Sequence, residues 1–259
     1  MSKFSGTLRD SYNIFLKEPK FILPKLIIAL LNSVLILLVA DLAIQVLAEP
    51  TTELLVTAII LFGATIIVSL ADIFVGAMYP FMVEQVKDKK KLDLSKAFES
   101  TVKKAGVIFP SIIAVEFGFL VLTFIVSLPL SFLIVSDDVY AVFFSGVYVI
   151  LLLGFVFLFY ILYPLLAYGK GKISIKDSLK KSIDFSLKNK EAVGKATLLS
   201  SLLSLLSVAI AFSIEFLPVD ADISLFWIAF IIVRVLTAYV YSYLFVLNPV
   251  FYLHYKVVK

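Results

Sequence analysis

Apolar residues in this chain run on for about twenty positions or more at a time. That is too long for the alternation of a half-buried strand and too continuous for the three-four spacing of a soluble amphipathic helix. Six such stretches lie at about Phe21–Ala40, Leu54–Val83, Gly106–Val135, Val139–Leu166, Val193–Ile214 and Ile223–Leu247. A helix needs roughly 20 apolar residues to cross ~30 Å of hydrocarbon, so each stretch predicts one crossing. In lipid every backbone N–H and C=O must pair within its own segment, which a helix achieves. A β-barrel would show alternation over about ten residues per strand, and that pattern does not occur. The first run begins about twenty residues in, exceeds the apolar core of a signal peptide and lacks a small-residue exit, so it is expected to stay in the membrane. The expected fold class is all-α and integral to the membrane, with six transmembrane helices in a single domain over residues 1–259.

Between the long runs lie shorter segments of helical period. Leu94, Ala97, Phe98, Thr101 and Ala105 share one face, as do Ile175, Leu179, Ile183 and Leu187, and Phe4, Leu8, Ser11, Tyr12 and Phe15. Ser174 and Asp177 form a capping-box pattern at the start of the third. The segment from Leu8 to Lys17 aligns without a gap over Leu179 to Lys188, at an offset of 171. Leu94 to Lys103 supplies a middle copy, and Ile108-Phe109-Pro110-Ser111 resembles Ile22-Leu23-Pro24-Lys25. The far end of each unit carries a proline, in Tyr79-Pro80, Tyr163-Pro164 and Asn248-Pro249, spaced by 84 and 85 residues. These echoes predict three repeated units, each an amphipathic helix followed by a transmembrane hairpin, at about 4–86, 92–169 and 173–255. A unit that crosses twice keeps its orientation, so the copies would be parallel rather than inverted.

Composition supports the membrane assignment. Apolar residues make up 61% of the chain, charged residues 16%, and the mean hydropathy is +1.06. So little polar material cannot build a water-facing surface, which excludes a soluble domain, a disordered chain and a nucleic-acid binder. The linkers after the first, third and fifth spans hold Asp41, Glu49, Glu53, Asp137, Asp138, Glu215, Asp220 and Asp222 with no Lys or Arg. Every basic residue except Arg234 falls on the other side, and both termini are therefore expected in the cytoplasm. Lysines opposite the apolar faces of the amphipathic segments, among them Lys96, Lys103, Lys180, Lys181 and Lys188, suit contact with anionic lipid head groups. Simple orientation of each hairpin would need the same charges.

Candidate chemistry is sparse. With no Cys and a single His, His254, disulfides, thiolate catalysis and Cys or His metal centres are excluded, and no metal or cofactor is expected. No metalloprotease, nucleophile-elbow or phosphate-loop sequence is present, so no catalytic residue is assigned and an enzyme finds little support. Three charges lie well inside predicted spans: Asp72, Glu116 and Arg234. Counting 1.5 Å per residue, Asp72 and Glu116 lie roughly 5–7 Å from the midplane and Arg234 close to it. A charge there costs about 2.5–3.5 kcal/mol on insertion scales, so such groups are expected to face inward and pair. Asp72 follows a stripe with Thr65, Ser69, Gly76 and Pro80; Glu116 one with Thr123 and Ser127; Arg234 one with Thr237, Tyr241 and Asn248. The candidate intramembrane polar site is thus Asp72, Glu116, Arg234 and Tyr241, with Arg234 expected to neutralise Asp72, Glu116 or both. A structural ion pair that fixes helix docking and a site for substrate, proton or lipid phosphate both fit this pattern. Ser200, Ser204, Ser207 and Ala211 share a face of the fifth span and suggest close helix packing.

The Ser-bearing segments Leu94 to Val102 and Ile173 to Leu187, leading into long apolar hairpins with Tyr79-Pro80 and Tyr163-Pro164 exits, carry a resemblance. Over nearly the whole chain the pattern resembles a poorly characterised prokaryotic family of polytopic membrane domains, found alone or fused to glycerophosphodiester phosphodiesterases. That resemblance implies a membrane-embedded module connected with lipids, in a prokaryotic cell membrane. The phosphodiesterase barrel is absent, so none of its hydrolytic residues is carried over. The function expected first is a non-catalytic module that associates with lipid, with a protein partner or with further copies of itself. Transport of a small solute or lipid through Asp72, Glu116 and Arg234 is the alternative.

Overall fold

The computed structural model describes residues 3–48, 51–133, 137–169, 174–212 and 223–256. Glu49, Ile173, Glu215, Asp220 and Asp222, named in the sequence argument, lie outside them, as do Ser136 and the basic residues Lys170, Lys172 and Lys259. The described residues form α1 (Lys3–Lys17), a 3-10 turn (Pro19–Phe21), α2 (Ile22–Ala48), α3 (Thr52–Lys87), α4 (Leu94–Leu133), α5 (Asp137–Phe159), α6 (Leu162–Tyr168), α7 (Ile175–Lys188), α8 (Lys190–Phe212) and α9 (Ile223–Tyr255). No strand occurs among them. Six segments are long and apolar enough to cross a membrane: α2, α3, α4, α5 continued by α6, α8 and α9.

Their lengths follow from the uninterrupted apolar runs. At 1.5 Å per residue, the 36 residues of α3 and 40 of α4 span about 54 and 60 Å, so both outreach the hydrocarbon. Large apolar side chains such as Leu55, Ile59, Phe62 and Ile67 stand exposed on the outside of α3. Lipid is the solvent that accepts such a surface. At helix starts, Thr51 Oγ1 accepts the Leu54 N–H (3.3 Å), and Ser174 Oγ accepts the Asp177 N–H (3.1 Å) while donating to the Asp177 carboxylate (2.7 Å).

The spans pack in a closed circuit: α2 on α3, α3 on α4, α4 on α5, α5 on α8, α8 on α9 and α9 back on α2. Where the exit prolines lie, α3, α6 and α9 also touch one another. Gly76 makes this approach possible. A Cβ there would stand 2.7 Å from Phe245 Cε1 and 3.2 Å from Tyr163 Cζ, so only glycine lets the three helices meet. The buried core gathers at this end, with Phe21, Tyr79, Met82, Val83, Val246 and Val250 fully enclosed. The first and last helices meet here too: His254 in the last turn of α9 contacts Thr7 Oγ1 (3.0 Å) and the Asp10 carboxylate (3.1 Å).

The short helices show which of their residues pack inward. Ser11, Ala97 and Ser182, equivalent in the alignment, are all fully buried, and so are Phe15, Thr101 and Ser186 one turn on. Leu16, Val102 and Leu187 are about half exposed, as are Tyr12 and Phe98. In α7 only the small side chains Ser178, Ser182 and Ser186 are buried, whereas α1 also buries Ile14 and Phe15. The α7 pattern suits a lipid surround, where burying a leucine against protein gains little over burying it in lipid and close backbone approach favours small residues. The middle segment also differs from its counterparts: Leu94 to Lys103 is the start of the continuous helix α4 rather than a separate helix.

The proline exits are unequal as well. Pro80 and Pro249 sit within unbroken helices, whereas the chain breaks at Tyr160-Ile161, just ahead of Pro164. A proline lacks the N–H that would bond the carbonyl four residues back, and its ring crowds that carbonyl. For Pro164 that carbonyl belongs to Tyr160, and it accepts the Asn248 side-chain amide instead. Nearby, Leu158 O accepts both Ser182 Oγ (3.1 Å) and Ser186 Oγ (3.2 Å) from α7. Side chains thus serve the carbonyls at this break.

Candidate functional site: two polar cavities in the bundle

The start of α2 is tied down before any polar site is built. Phe21 is fully buried and stacks on Tyr79 at 6.3 Å, and the Tyr79 hydroxyl donates to Phe21 O (2.8 Å) and Ser242 Oγ (3.0 Å). One turn on, Lys25 points into the bundle with only 7% of its side chain exposed. Its ammonium lies 2.5 Å from Asp72 Oδ1 on α3 and 3.9 Å over the ring of Phe245 on α9. The carboxylate balances the charge, and the ring face adds a cation–π contact.

This pairing corrects the expected one. Arg234 has no ion-pair partner among the described residues, and Asp72 is occupied by Lys25. Lys25 had been grouped with the basic residues outside the membrane because it lies near the start of its span. One signal did mark it: the alignment sets Lys25 over Ser111, so the charge is one that the second unit does not repeat.

Lys25 and Asp72 stand in the wall of a cavity of about 510 Å³ between α2, α3, α8 and α9. Arg234, Ser207, Thr237, Asn32 and Tyr241 complete its polar lining. Arg234 is half-buried, with its guanidinium 4.9 Å from the Phe230 ring and its Nε enclosed without a hydrogen-bond partner. Ser207 Oγ and Thr237 Oγ1 are likewise enclosed and unpartnered. The cavity wall thus holds two cations and one anion, plus three buried polar atoms that have donated to nothing.

Glu116 stands apart. It is exposed and lines a second cavity, of about 640 Å³, between α4, α5, α6, α8 and α9. Tyr241 and Phe245 belong to both walls, so the two cavities are neighbours across α9. The stripe Arg234, Thr237, Tyr241 and Asn248 is cavity-lining along its length. Ser200 and Ser204 face the second cavity and Ser207 the first, where the sequence suggested close helix packing. The four-residue candidate site therefore divides: Asp72 and Arg234 in one cavity, Glu116 in the other, Tyr241 between them.

Away from the two cavities, Lys96, Lys103, Lys180, Lys181 and Lys188 are all exposed. Lys96 lies 3.6 Å from Asp93, whose Oδ1 also accepts the Lys96 N–H (3.2 Å) and caps α4. That backbone bond, with the nearby ammonium, holds the Asp93 carboxyl below its usual range. Lys104 donates to Gly169 O (2.7 Å), joining α4 to the end of α6.

Six apolar spans define the class: a polytopic helical membrane protein. Comparison with family models, curated proteins and solved structures finds no match to this chain.

Proposed function

We propose that the protein binds a small, singly charged anion, a free solute or a lipid head group, in the cavity lined by Arg234, and that it serves as a carrier or receptor for that anion in a prokaryotic membrane. One observation carries this: Arg234 has a buried, unpartnered Nε beside the unpartnered hydroxyls of Ser207 and Thr237, while Lys25 already neutralises Asp72. The cavity has a net charge of about +1 and unused donors, and phosphate or carboxylate supplies the matching charge and acceptors. The volume of about 510 Å³ falls in the usual range for small-molecule sites.

The test is ligand-induced stabilisation of purified protein, using inorganic phosphate, benzoate and dihexanoyl phosphatidylglycerol as probes. At a hundredfold excess over Kd, binding stabilises by about 2.7 kcal/mol. Arg234→Lys should fold normally and lose most of that gain, because a lysine cannot make the bidentate contact. Equal stabilisation of Arg234→Lys and the unaltered protein would overturn the proposal. Phosphate acting alone would indicate a solute, and the lipid acting alone a head group.

The resemblance to lipid-associated membrane domains supports a further part of this reading. The proline end of the bundle would face the cytoplasm, with Lys96, Lys103, Lys180, Lys181 and Lys188 meeting anionic head groups beside the outward-facing Phe98, Val102 and Leu187. Single cysteines at Glu99 and Ser136 of this Cys-free chain should then label from inside and outside respectively. The opposite pattern would refute the orientation. Replacing the five lysines by glutamine should weaken association with phosphatidylglycerol-rich nanodiscs at low salt, and unchanged association would remove the head-group role.

Three repeated units remain part of the proposal. The packing that supports them is cyclic: α1 lies on α9, the first turns of α4 on α3, and α7 on α5 and α6. Each amphipathic segment thus covers the exit helix of the preceding unit. A circular permutant that starts at Leu92 and joins Lys256 to Lys3 through a flexible linker should insert and keep its Tm. Failure to accumulate in membranes would count against the cycle.

A further inference from the structure

We infer that the second cavity is a binding site for an amphiphilic organic monocation, held by the Glu116 carboxylate and a wall of aromatic rings. The inference does not depend on the anion site. Its first ground is charge. Glu116 lies within a transmembrane helix, has no ion-pair partner among the described residues, and no Lys, Arg or His lines the cavity of about 640 Å³ that it faces. A lone carboxylate in this surround favours a cation and repels an anion, the reverse of the neighbouring cavity.

The second ground is the wall itself. Phe119, Tyr148, Phe155, Phe159, Tyr160 and Tyr163 all line the cavity. Phe119 meets Tyr148 edge to face at 5.3 Å and Phe155 at 5.4 Å, and Phe155 is 5.7 Å from Phe159, so the rings form one continuous surface. Aromatic faces attract a cation through their quadrupole, most strongly where water is excluded. The buried Tyr160 hydroxyl lies beside Ser200 and Asn248 in the same wall, adding polar atoms at one end of the aromatic surface.

The third ground selects the kind of cation. A metal ion or simple ammonium would have to shed tightly held water against a mostly apolar wall, which Glu116 alone does not offset. A cation whose charge is shielded by apolar groups, a quaternary ammonium or phosphonium, holds its water weakly and gains from burying its body there. The site is therefore matched to lipophilic cations rather than inorganic ones.

Tetraphenylphosphonium is the probe, measured by equilibrium dialysis on the intact protein in dodecyl maltoside. Saturable binding near one per chain is expected. Glu116→Gln should weaken it by about tenfold or more, Glu116→Asp should restore most of the loss, and Tyr148→Leu should weaken it several-fold. Glu99→Gln, which removes an acid outside the cavity, should leave it unchanged. On the unaltered protein, saturating tetraphenylphosphonium should protect Glu116 from dicyclohexylcarbodiimide, read by mass spectrometry, so the test does not depend on a variant that folds. Absence of saturable binding, equal binding by Glu116→Gln, equal loss in Glu99→Gln, or undiminished modification of Glu116 would each overturn the inference.

Discussion

Asp72→Asn removes the charge opposite Lys25 while keeping the side-chain shape, and it should be the most damaging single change in the first cavity. At 2.5 Å and an effective dielectric constant of about 20, the Coulomb attraction is about 7 kcal/mol before desolvation is subtracted. The two partners are not equally buried: 7% of the Lys25 side chain is exposed, against 41% of Asp72. Losing the carboxylate strands an ammonium that is far less exposed than its partner, and breaking a buried pair in this way costs about 3–5 kcal/mol. Losing the lysine instead leaves a carboxylate that the cavity can hydrate, so Lys25→Met should cost only about 1–3 kcal/mol. Lys25→Met combined with Asp72→Asn removes both charges and should cost little more than Lys25→Met alone. Dodecyl sulfate titration of micellar protein, followed by circular dichroism, gives the four stabilities needed for the cycle. Additive single effects, or an Asp72→Asn variant no less stable than Lys25→Met, would refute the assignment of Lys25 as the buried member.

Gly76→Ala should destabilise by about 1–3 kcal/mol through the clash with Phe245, with partial rescue by Phe245→Leu. Gly63→Ala, where a Cβ meets nothing within 4 Å, should be neutral or stabilising in the same thermal assay. Ser182→Ala and Ser186→Ala should each have a small effect because both hydroxyls serve Leu158 O, whereas the double variant leaves that acceptor without either and should cost about 1–3 kcal/mol. A double variant no worse than the sum of two negligible singles would mean that another donor takes over.

The six spans were legible in the sequence because membrane insertion depends on a one-dimensional property. An apolar run either does or does not cover the hydrocarbon, and its backbone must then be helical whatever its neighbours are. The intramembrane charges were visible for the same reason, since Asp72, Glu116 and Arg234 stand out against apolar surroundings. Which charge meets which was not legible. Lys25 lies near the start of α2, yet the Phe21–Tyr79 anchor and the close approach of helices at Gly76 turn it inward onto Asp72. That leaves Arg234 free in one cavity and puts Glu116 in another, a partition set by helix rotation and packing rather than by depth in the membrane. Which face of the short helices packs inward was not legible for a related reason. Helical period identifies two faces, but only the surroundings decide which one is buried, and in lipid the small hydroxyl-bearing face of Ser178, Ser182 and Ser186 packs inward while Leu187 turns out.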